Sequence, residues 1–175
     1  NAAVTLSPTD DIVEVDLEKL QTLISKAKDY DVVMKLNDSS LAKYYASQDD
    51  LATFATRGVL TPEHIIRTKR NPLVLEDDNI ERALDTYINE YKTYFQTFST
   101  DEICLNPAPN YAVIKNTGVV LFGKNEKEVN VMNDIVEHTM MAVFRADKLG
   151  GYKSISPSDS FDMEYWELEQ AKLKK

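Results

Sequence analysis

The stretch that decides the fold is residues 111–123, which read YAVIKNTGVVLFG. Two short apolar runs, Tyr111 to Ile114 and Val119 to Phe122, flank a polar connection from Lys115 to Gly118. Apolar runs of this length bounded by polar residues are typical of buried strands. The connection is short enough for a hairpin, and it is also compatible with one bent strand. The segment therefore predicts the middle of a sheet but leaves the strand directions open.

Two further apolar runs predict strands outside this segment. Residues 31–36 lie between Asp29 and an Asn-Asp-Ser-Ser cluster, and residues 72–75 follow the helix-ending pair Asn71-Pro72. A shorter candidate strand lies at residues 12–15. The main strands of the expected sheet are therefore residues 31–36, 72–75, 111–116 and 119–123.

Helical patterns alternate with these strands. The clearest covers residues 78–98, where apolar side chains recur at three- and four-residue steps. Weaker patterns predict helices over residues 16–27, 39–47, 49–57, 61–70, 125–149 and 162–173. The alternation favours an α/β fold: a single layered domain over residues 12–175 with a mostly buried central sheet flanked by helices. Residues 1–11 are expected to be a flexible lead-in, and Asn1-Ala2 is compatible with a tag remnant.

Composition excludes several classes of protein. The 175 residues carry a formal net charge of −9, which argues against nucleic acid as the main partner. No apolar run approaches the roughly 18 residues that a membrane span needs. The single cysteine, Cys104, cannot form an intrachain disulfide and favours a reducing, cytoplasmic location. Two histidines cannot complete a three-histidine metal site.

The densest polar cluster follows Thr61-Pro62, a well-formed helix start. His64 falls in the first turn, where the helix dipole disfavours the imidazolium and keeps the ring neutral and able to bind a metal. Arg67, Lys69 and Arg70 supply cationic donors suited to a phosphate or carboxylate. The alternative interpretation is a capped helix with solvated basic residues and a surface histidine.

Other chemistry-bearing residues give weaker signals. His138 lies four residues after Asp134 on a helical face, an arrangement that favours a structural pair over a metal site. Cys104 has no neighbouring histidine, which favours a core or loop thiol over a nucleophile. The sequence contains no Gly-x-Gly-x-x-Gly, so no dinucleotide cofactor site is expected.

Three segments together resemble the class II aldolase/adducin superfamily. They are Thr61 to Lys69, Gly118 to Lys124 and Phe161 to Leu173. They are most similar to the C-terminal part of the aldolase region in fusion proteins that join rhamnulose-1-phosphate aldolase to a short-chain dehydrogenase. The resemblance covers roughly residues 20–175, so the chain would be a fragment that ends where the dehydrogenase begins.

The resemblance implies cleavage of a ketose 1-phosphate to dihydroxyacetone phosphate and lactaldehyde. Such lyases hold a zinc-like divalent metal with a His-x-His pair and a third histidine, and they use a glutamate as acid and base. This chain has no His-x-His, and Thr117 stands where an Asn-His-Gly motif would carry the third histidine. The resemblance therefore leaves His64 as the metal-ligand candidate, with Arg67 and Lys69 facing the substrate phosphate. No catalytic residue is identified.

The first hypothesis is a portion of such an aldolase that lacks activity by itself. Its partners would be a sugar phosphate substrate, an upstream aldolase segment and a downstream dehydrogenase (an oxidoreductase of rhamnose metabolism), and a homo-oligomer is compatible with this view. The second hypothesis is a non-catalytic α/β binding or assembly module that kept the fold and lost the metal. A third is a small-molecule-binding partner of a dehydrogenase.

Overall fold

The computed structural model describes residues 12–171, so the expected lead-in at residues 1–11 lies outside the described part of the chain. None of the helices in this range is long and apolar enough to cross a membrane. Within it, helices and strands alternate in the order α1 Leu17–Lys28, β1 Val33–Asn37, α2 Ser40–Ala46, α3 Leu51–Ala55, α4 Pro62–Thr68, β2 Leu73–Leu75, α5 Ile80–Phe98, β3 Tyr111–Ile114, β4 Gly118–Gly123, α6 Glu126–Asp147, α7 Pro157–Tyr165 and α8 Glu167–Ala171.

The four strands form one mixed sheet in the order β1-β4-β3-β2. β3 and β4 pair antiparallel as a hairpin, in which Ile114 lies opposite Gly118. β1 pairs antiparallel with β4, and β2 pairs parallel with β3 after the crossover through α5. The connection at residues 115–117 is therefore a turn, which settles the alternative between a hairpin and a bent strand.

The central strands are buried on both faces, and successive side chains point to opposite cores. Val113, Val119 and Leu121 pack with α2, α3 and α6 on one face. Ala112, Ile114 and Phe122 pack with α1, β2 and α5 on the other. The sheet is therefore the middle of three layers, with helices packed on both of its faces. Because both faces are buried, the strands are continuous apolar runs in the sequence. The expected α/β fold with a mostly buried sheet is confirmed.

Helices α4, α7 and α8 pack together at one side of these layers, where α4 also contacts α6 and α7 contacts α5. Aromatic rings hold α7 against the end of α5. Phe161 packs against Tyr94, Phe95 and Phe98, and it stacks on Tyr165 with ring centroids 4.4 Å apart. The aromatic residues of α5 are therefore packed, as expected for a structural stripe.

Two expectations are wrong at the ends of the chain. Residues 12–16 form no strand, although Val15 N–H donates to the Val13 carbonyl. The last helix starts earlier than residue 162, because the Ser156 side chain accepts from Asp159 N–H and Pro157 occupies the first turn. Extended backbone at Trp166 then separates α7 from α8.

Gly118 provides a direct test of the hairpin. Its φ is +148°, and a Cβ there would lie 2.4 Å from the Asn37 carbonyl oxygen at the end of β1. We expect Gly118→Ala to lower the free energy of unfolding by roughly 3 kcal/mol, because backbone cannot move aside as a side chain can. Chemical denaturation measures the change.

Gly150→Ala is the matched control. Gly150 also has a positive φ, of +118°, but nothing lies within 4 Å of a Cβ at that position. Its substitution should therefore show the cost of the backbone conformation alone. Equal losses at the two glycines would contradict the close approach of β1 and β4.

Candidate functional site

Helix α4 begins as its sequence predicts. The Thr61 side chain accepts a hydrogen bond from His64 N–H, and Pro62 occupies the first turn. Thr61 Oγ1 also lies 2.7 Å from Nδ1 of the His64 ring. One hydroxyl therefore both caps the helix and engages one ring nitrogen of the histidine.

The His64 ring is turned inward, with the residue 8% exposed. Its Nε2 is buried and has no hydrogen-bond partner. Burial lowers the pKa of His64, and nearby His138 lowers it further, against smaller opposing effects of Glu63 and the Ile135 carbonyl. The fold thus brings the two histidines near one another and keeps the His64 ring neutral. Thr61 engages Nδ1, so Nε2 is the second ring nitrogen, and the ring also interacts with the Ile135 carbonyl.

The donor set for a metal is incomplete in the described residues. Within residues 12–171, no three His, Cys, Asp or Glu side chains come together to hold a metal ion. Thr117 lies in the β3–β4 turn, where its Oγ1 donates to the Lys115 carbonyl. The residues present therefore do not fit the three-histidine metal centre of a class II aldolase.

Arg67 and Lys69 contact partners other than those of His64. Arg67 Nε donates to Glu63 Oε1 at 2.6 Å, one turn back on the same helix. Lys69 is 6% exposed and points instead toward α5 and α7. The three predicted site residues thus engage three different sets of partners.

Lys69 lies in a buried polar cluster that we term the lysine site: Lys69, Glu164 and the hydroxyls of Tyr91, Tyr94 and Tyr165. Lys69 Nζ lies 3.9 Å from Glu164 Oε1 and 3.9 Å from the centre of the Tyr91 ring. Tyr91 donates to Glu164 Oε1 at 2.8 Å and lies 2.8 Å from the Tyr165 hydroxyl. The cluster therefore links the end of α4 to α5 and α7.

The backbone at Lys69 is strained. This residue ends α4 with φ 61° and ψ 177°, a region that almost only glycine adopts. Such a conformation costs about 1–3 kcal/mol, and surrounding structure must hold it in place. Lys69 N–H donates to the Ile65 carbonyl, and the single proton of the Thr68 hydroxyl is shared between the carbonyl oxygens of His64 and Lys69, 2.9 Å and 3.0 Å away. Strain of this kind is concentrated at functional sites.

A cavity of about 270 Å³ opens beside this cluster. Lys69 and Arg70 line it together with Tyr87, Tyr91 and Tyr94. Arg70 is held by donating from Nη1 to the Ile155 carbonyl at 3.1 Å and to Ser160 Oγ. The cavity therefore combines two cationic side chains with aromatic walls.

Burial controls the charges in the lysine site. It lowers the pKa of Lys69 and raises the pKa of Glu164, and the attraction between the two opposes both shifts. Burial also raises the pKa of Tyr91 and Tyr94, and it raises that of Tyr165 to about 12. Burial thus shifts both groups toward their uncharged forms, the amine and the carboxylic acid.

A second buried lysine lies behind Lys69. Lys28 Nζ donates to Asn110 Oδ1 at 2.6 Å, and Asn110 Nδ2 donates to the Arg67 carbonyl at 2.7 Å. Burial lowers the pKa of Lys28 to about 8, and the positive charge of Lys69 contributes. A positive charge on Lys69 thus opposes a second positive charge on Lys28.

Sequence reasoning missed Glu164, Tyr91, Tyr94 and Tyr165 as site residues. The available signal was the tyrosines on the buried face of α5, since a buried tyrosine hydroxyl needs a polar partner that phenylalanine does not. Glu164 gave no separate signal, because an acidic residue in a short helix usually faces solvent.

Comparisons with known proteins show the family to which the chain belongs. A family model described as "Aldolase class II, second domain" matches residues 12–173. The "Uncharacterized oxidoreductase YuxG" of Bacillus subtilis is 27% identical over 150 residues, which cover 74% of this chain. The chain spans 22% of the length of that relative.

A solved structure shares the fold. The crystal structure of YgbL from Escherichia coli, described as a candidate aldolase/epimerase/decarboxylase, superposes with a TM-score of 0.52 at 14% identity. The match covers 84% of this chain and 64% of that one. At this identity the likeness concerns the fold alone.

The raised pKa of Glu164 predicts a pH-dependent stability. A carboxyl whose pKa is higher in the folded than in the unfolded chain stabilises the fold when protonated, and this contribution disappears as the pH rises through the folded pKa. We therefore expect the stability of the wild-type chain relative to Glu164→Gln to be greatest near pH 4 and to fall toward pH 8. Urea denaturation at each pH measures the difference.

Glu81→Gln is the control with the opposite sign. The hydrogen bond from Lys19 and its charge lower the pKa of Glu81, so the contribution of this group should be lost as the pH falls. If the wild-type advantage over Glu164→Gln grew with pH instead, Glu164 would be ionised in the folded chain.

Proposed function

This chain belongs to the class II aldolase family, and from this membership we propose that it is one domain of a longer aldolase that cleaves a ketose 1-phosphate. The substrate proposed is rhamnulose 1-phosphate or a close analogue, which gives dihydroxyacetone phosphate and lactaldehyde. In this proposal the domain helps to shape the site without completing it. The family uses a divalent metal, so part of the metal centre would come from another segment of the polypeptide.

The proposal rests on one observation. The chain has the fold of the family, but its described residues do not form a complete set of metal ligands. The family match runs through all the described residues, yet these residues bring together no three metal-binding side chains. A structural or catalytic zinc site in a protein needs at least three protein ligands. The combination supports a domain that works together with a ligand-bearing segment elsewhere.

The predicted site residues keep defined roles in this proposal. His64 would offer Nε2 to a shared metal, because Nδ1 is engaged by Thr61. Arg67 would contact the substrate phosphate in place of Glu63, to which its Nε donates a hydrogen bond in this structure. Lys69 could contact a phosphate only from within the cavity.

The adjoining parts of the polypeptide are also proposals. The relative from Bacillus subtilis bears the name oxidoreductase and is much longer than this chain, which supports an adjacent dehydrogenase domain. A dehydrogenase beside a lyase would oxidise the aldehyde that the lyase releases. A single cysteine supports a cytoplasmic location for such a polypeptide.

The burial of His64 favours a second candidate function. A ring that is 8% exposed and bonded to the helix cap is also what a structural histidine would show. The chain would then be a non-catalytic assembly module that keeps the aldolase fold. The two functions differ in what the longer polypeptide loses when His64 is removed.

His64→Ala in the longer polypeptide tests the proposal. We expect loss of bound metal and at least a tenfold loss of ketose 1-phosphate cleavage, because removing one ligand weakens the centre. Metal analysis and an aldehyde-release assay measure the two effects, with circular dichroism to confirm the fold.

His138→Ala is the matched control, since His138 is nearby but exposed and should leave both quantities unchanged. Unchanged metal content and activity in His64→Ala would reject the ligand role and favour the assembly module. Chelator-sensitive cleavage by the 175-residue chain alone would reject the incomplete site.

A further inference from the structure

We propose that Lys69 is a nucleophilic amine that forms a Schiff base with a small carbonyl compound bearing an anionic group, bound in the adjoining cavity. This activity needs no metal and does not depend on the proposed cleavage of a ketose 1-phosphate. It gives the domain a covalent binding function of its own.

The first argument is that the amine of Lys69 is buried in the lysine site without a hydrogen bond. Lys69 Nζ makes none among the described residues, and its contacts are the ion pair with Glu164 and the face of the Tyr91 ring. Glu164 Oε2 and the Tyr94 hydroxyl are also buried, but a hydrogen bond between Tyr94 and Glu164 acts on the pKa of both groups, so they partner each other. A buried amine without a hydrogen bond is rare in folded proteins, and one beside a cavity indicates a polar ligand.

The second argument concerns the shape and charge of the cavity. Its volume of about 270 Å³ suits a molecule of a few carbon atoms rather than a larger cofactor. Arg70 uses Nη1 for the Ile155 carbonyl and Ser160, which leaves Nη2 to bind a phosphate or carboxylate. A carbonyl compound anchored there would have its remaining atoms between Arg70 and Lys69.

The third argument is the state of the lysine. Only an unprotonated amine attacks a carbonyl carbon, and desolvation in an apolar pocket or a neighbouring cation favours that form. Lys69 has the first of these, because its side chain is buried against Tyr91 and this burial lowers its pKa. The backbone conformation of Lys69 and the hydrogen bond from Thr68 to the His64 carbonyl fix the position of the Lys69 Cα, from which the side chain extends.

The step balances within the site. The Lys69 nitrogen attacks the carbonyl carbon, and one amine proton passes to the carbonyl oxygen to give a carbinolamine. The Glu164 carboxylic acid then protonates the hydroxyl, which leaves as water while the nitrogen lone pair forms the C=N bond. The products are a protonated imine on Lys69, a Glu164 carboxylate beside it, and one water molecule.

This role of Lys69 and the phosphate contact considered above exclude each other. A lysine that binds a phosphate must carry its positive charge, whereas a lysine that attacks a carbonyl carbon must be neutral. The two roles therefore predict different outcomes in a trapping experiment.

The test treats the 175-residue chain with dihydroxyacetone phosphate and then with sodium borohydride, which reduces an imine to a stable secondary amine. Peptide mass mapping locates the adduct. We expect close to one adduct per chain, on Lys69, and at least fivefold slower trapping with dihydroxyacetone, which lacks the group that Arg70 would bind. Lys69→Arg replaces the amine with a guanidinium that forms no imine, and it should abolish the adduct. Lys28→Arg, the matched change at the other buried lysine, should retain it.

Adducts confined to exposed lysines, or an unchanged adduct in Lys69→Arg, would overturn the proposal. Equal trapping of the two carbonyl compounds would overturn the anionic anchor at Arg70. The peptide map of the wild-type chain decides the question even if Lys69→Arg does not fold.

Discussion

The burial of Lys69 beside Glu164 is the constraint on which the rest of the site depends. Two groups that are normally charged lie in the interior, joined to α5 through the Tyr91 hydroxyl and ring. Removing charges from water is costly, and attraction at 3.9 Å offsets only part of that cost. Burial thereby shifts both groups toward their neutral forms, and this single effect underlies the predicted pH-dependent stability and the proposed reactive amine.

The same burial shapes the surrounding architecture. α4 ends at a strained residue, which sends the lysine inward, and the aromatic contacts of Phe161 press α7 against α5. The sheet contributes indirectly, since β2 follows α4 and its pairing with β3 fixes where the chain leaves the site. A class II aldolase fold therefore carries, within the described residues, an organised polar centre that differs from a histidine metal site.

The sequence predicted most of the fold because its signals are local. Apolar runs such as Val119 to Phe122 and the helical repeat of α5 report burial directly, so the elements follow from them. The site was less predictable because Lys69 and Glu164 lie far apart in the sequence and meet only in the folded chain, where α4 packs against α7. The neutral state of His64 was expected from the helix dipole, and the structure gives burial as the main cause of its lowered pKa. Its role as a metal ligand stays a prediction.

The protonation of Lys69 is the most direct test of this account. An NMR titration with lysine labelled at Cε, assigned by comparison with Lys69→Arg, follows this side chain alone. The account predicts a titration midpoint below the ordinary value of 10.5, since burial opposes the charged form more than Glu164 favours it. A midpoint at or above 10.5 would mean that Lys69 is a conventional cation paired with an ionised Glu164, and it would contradict the account.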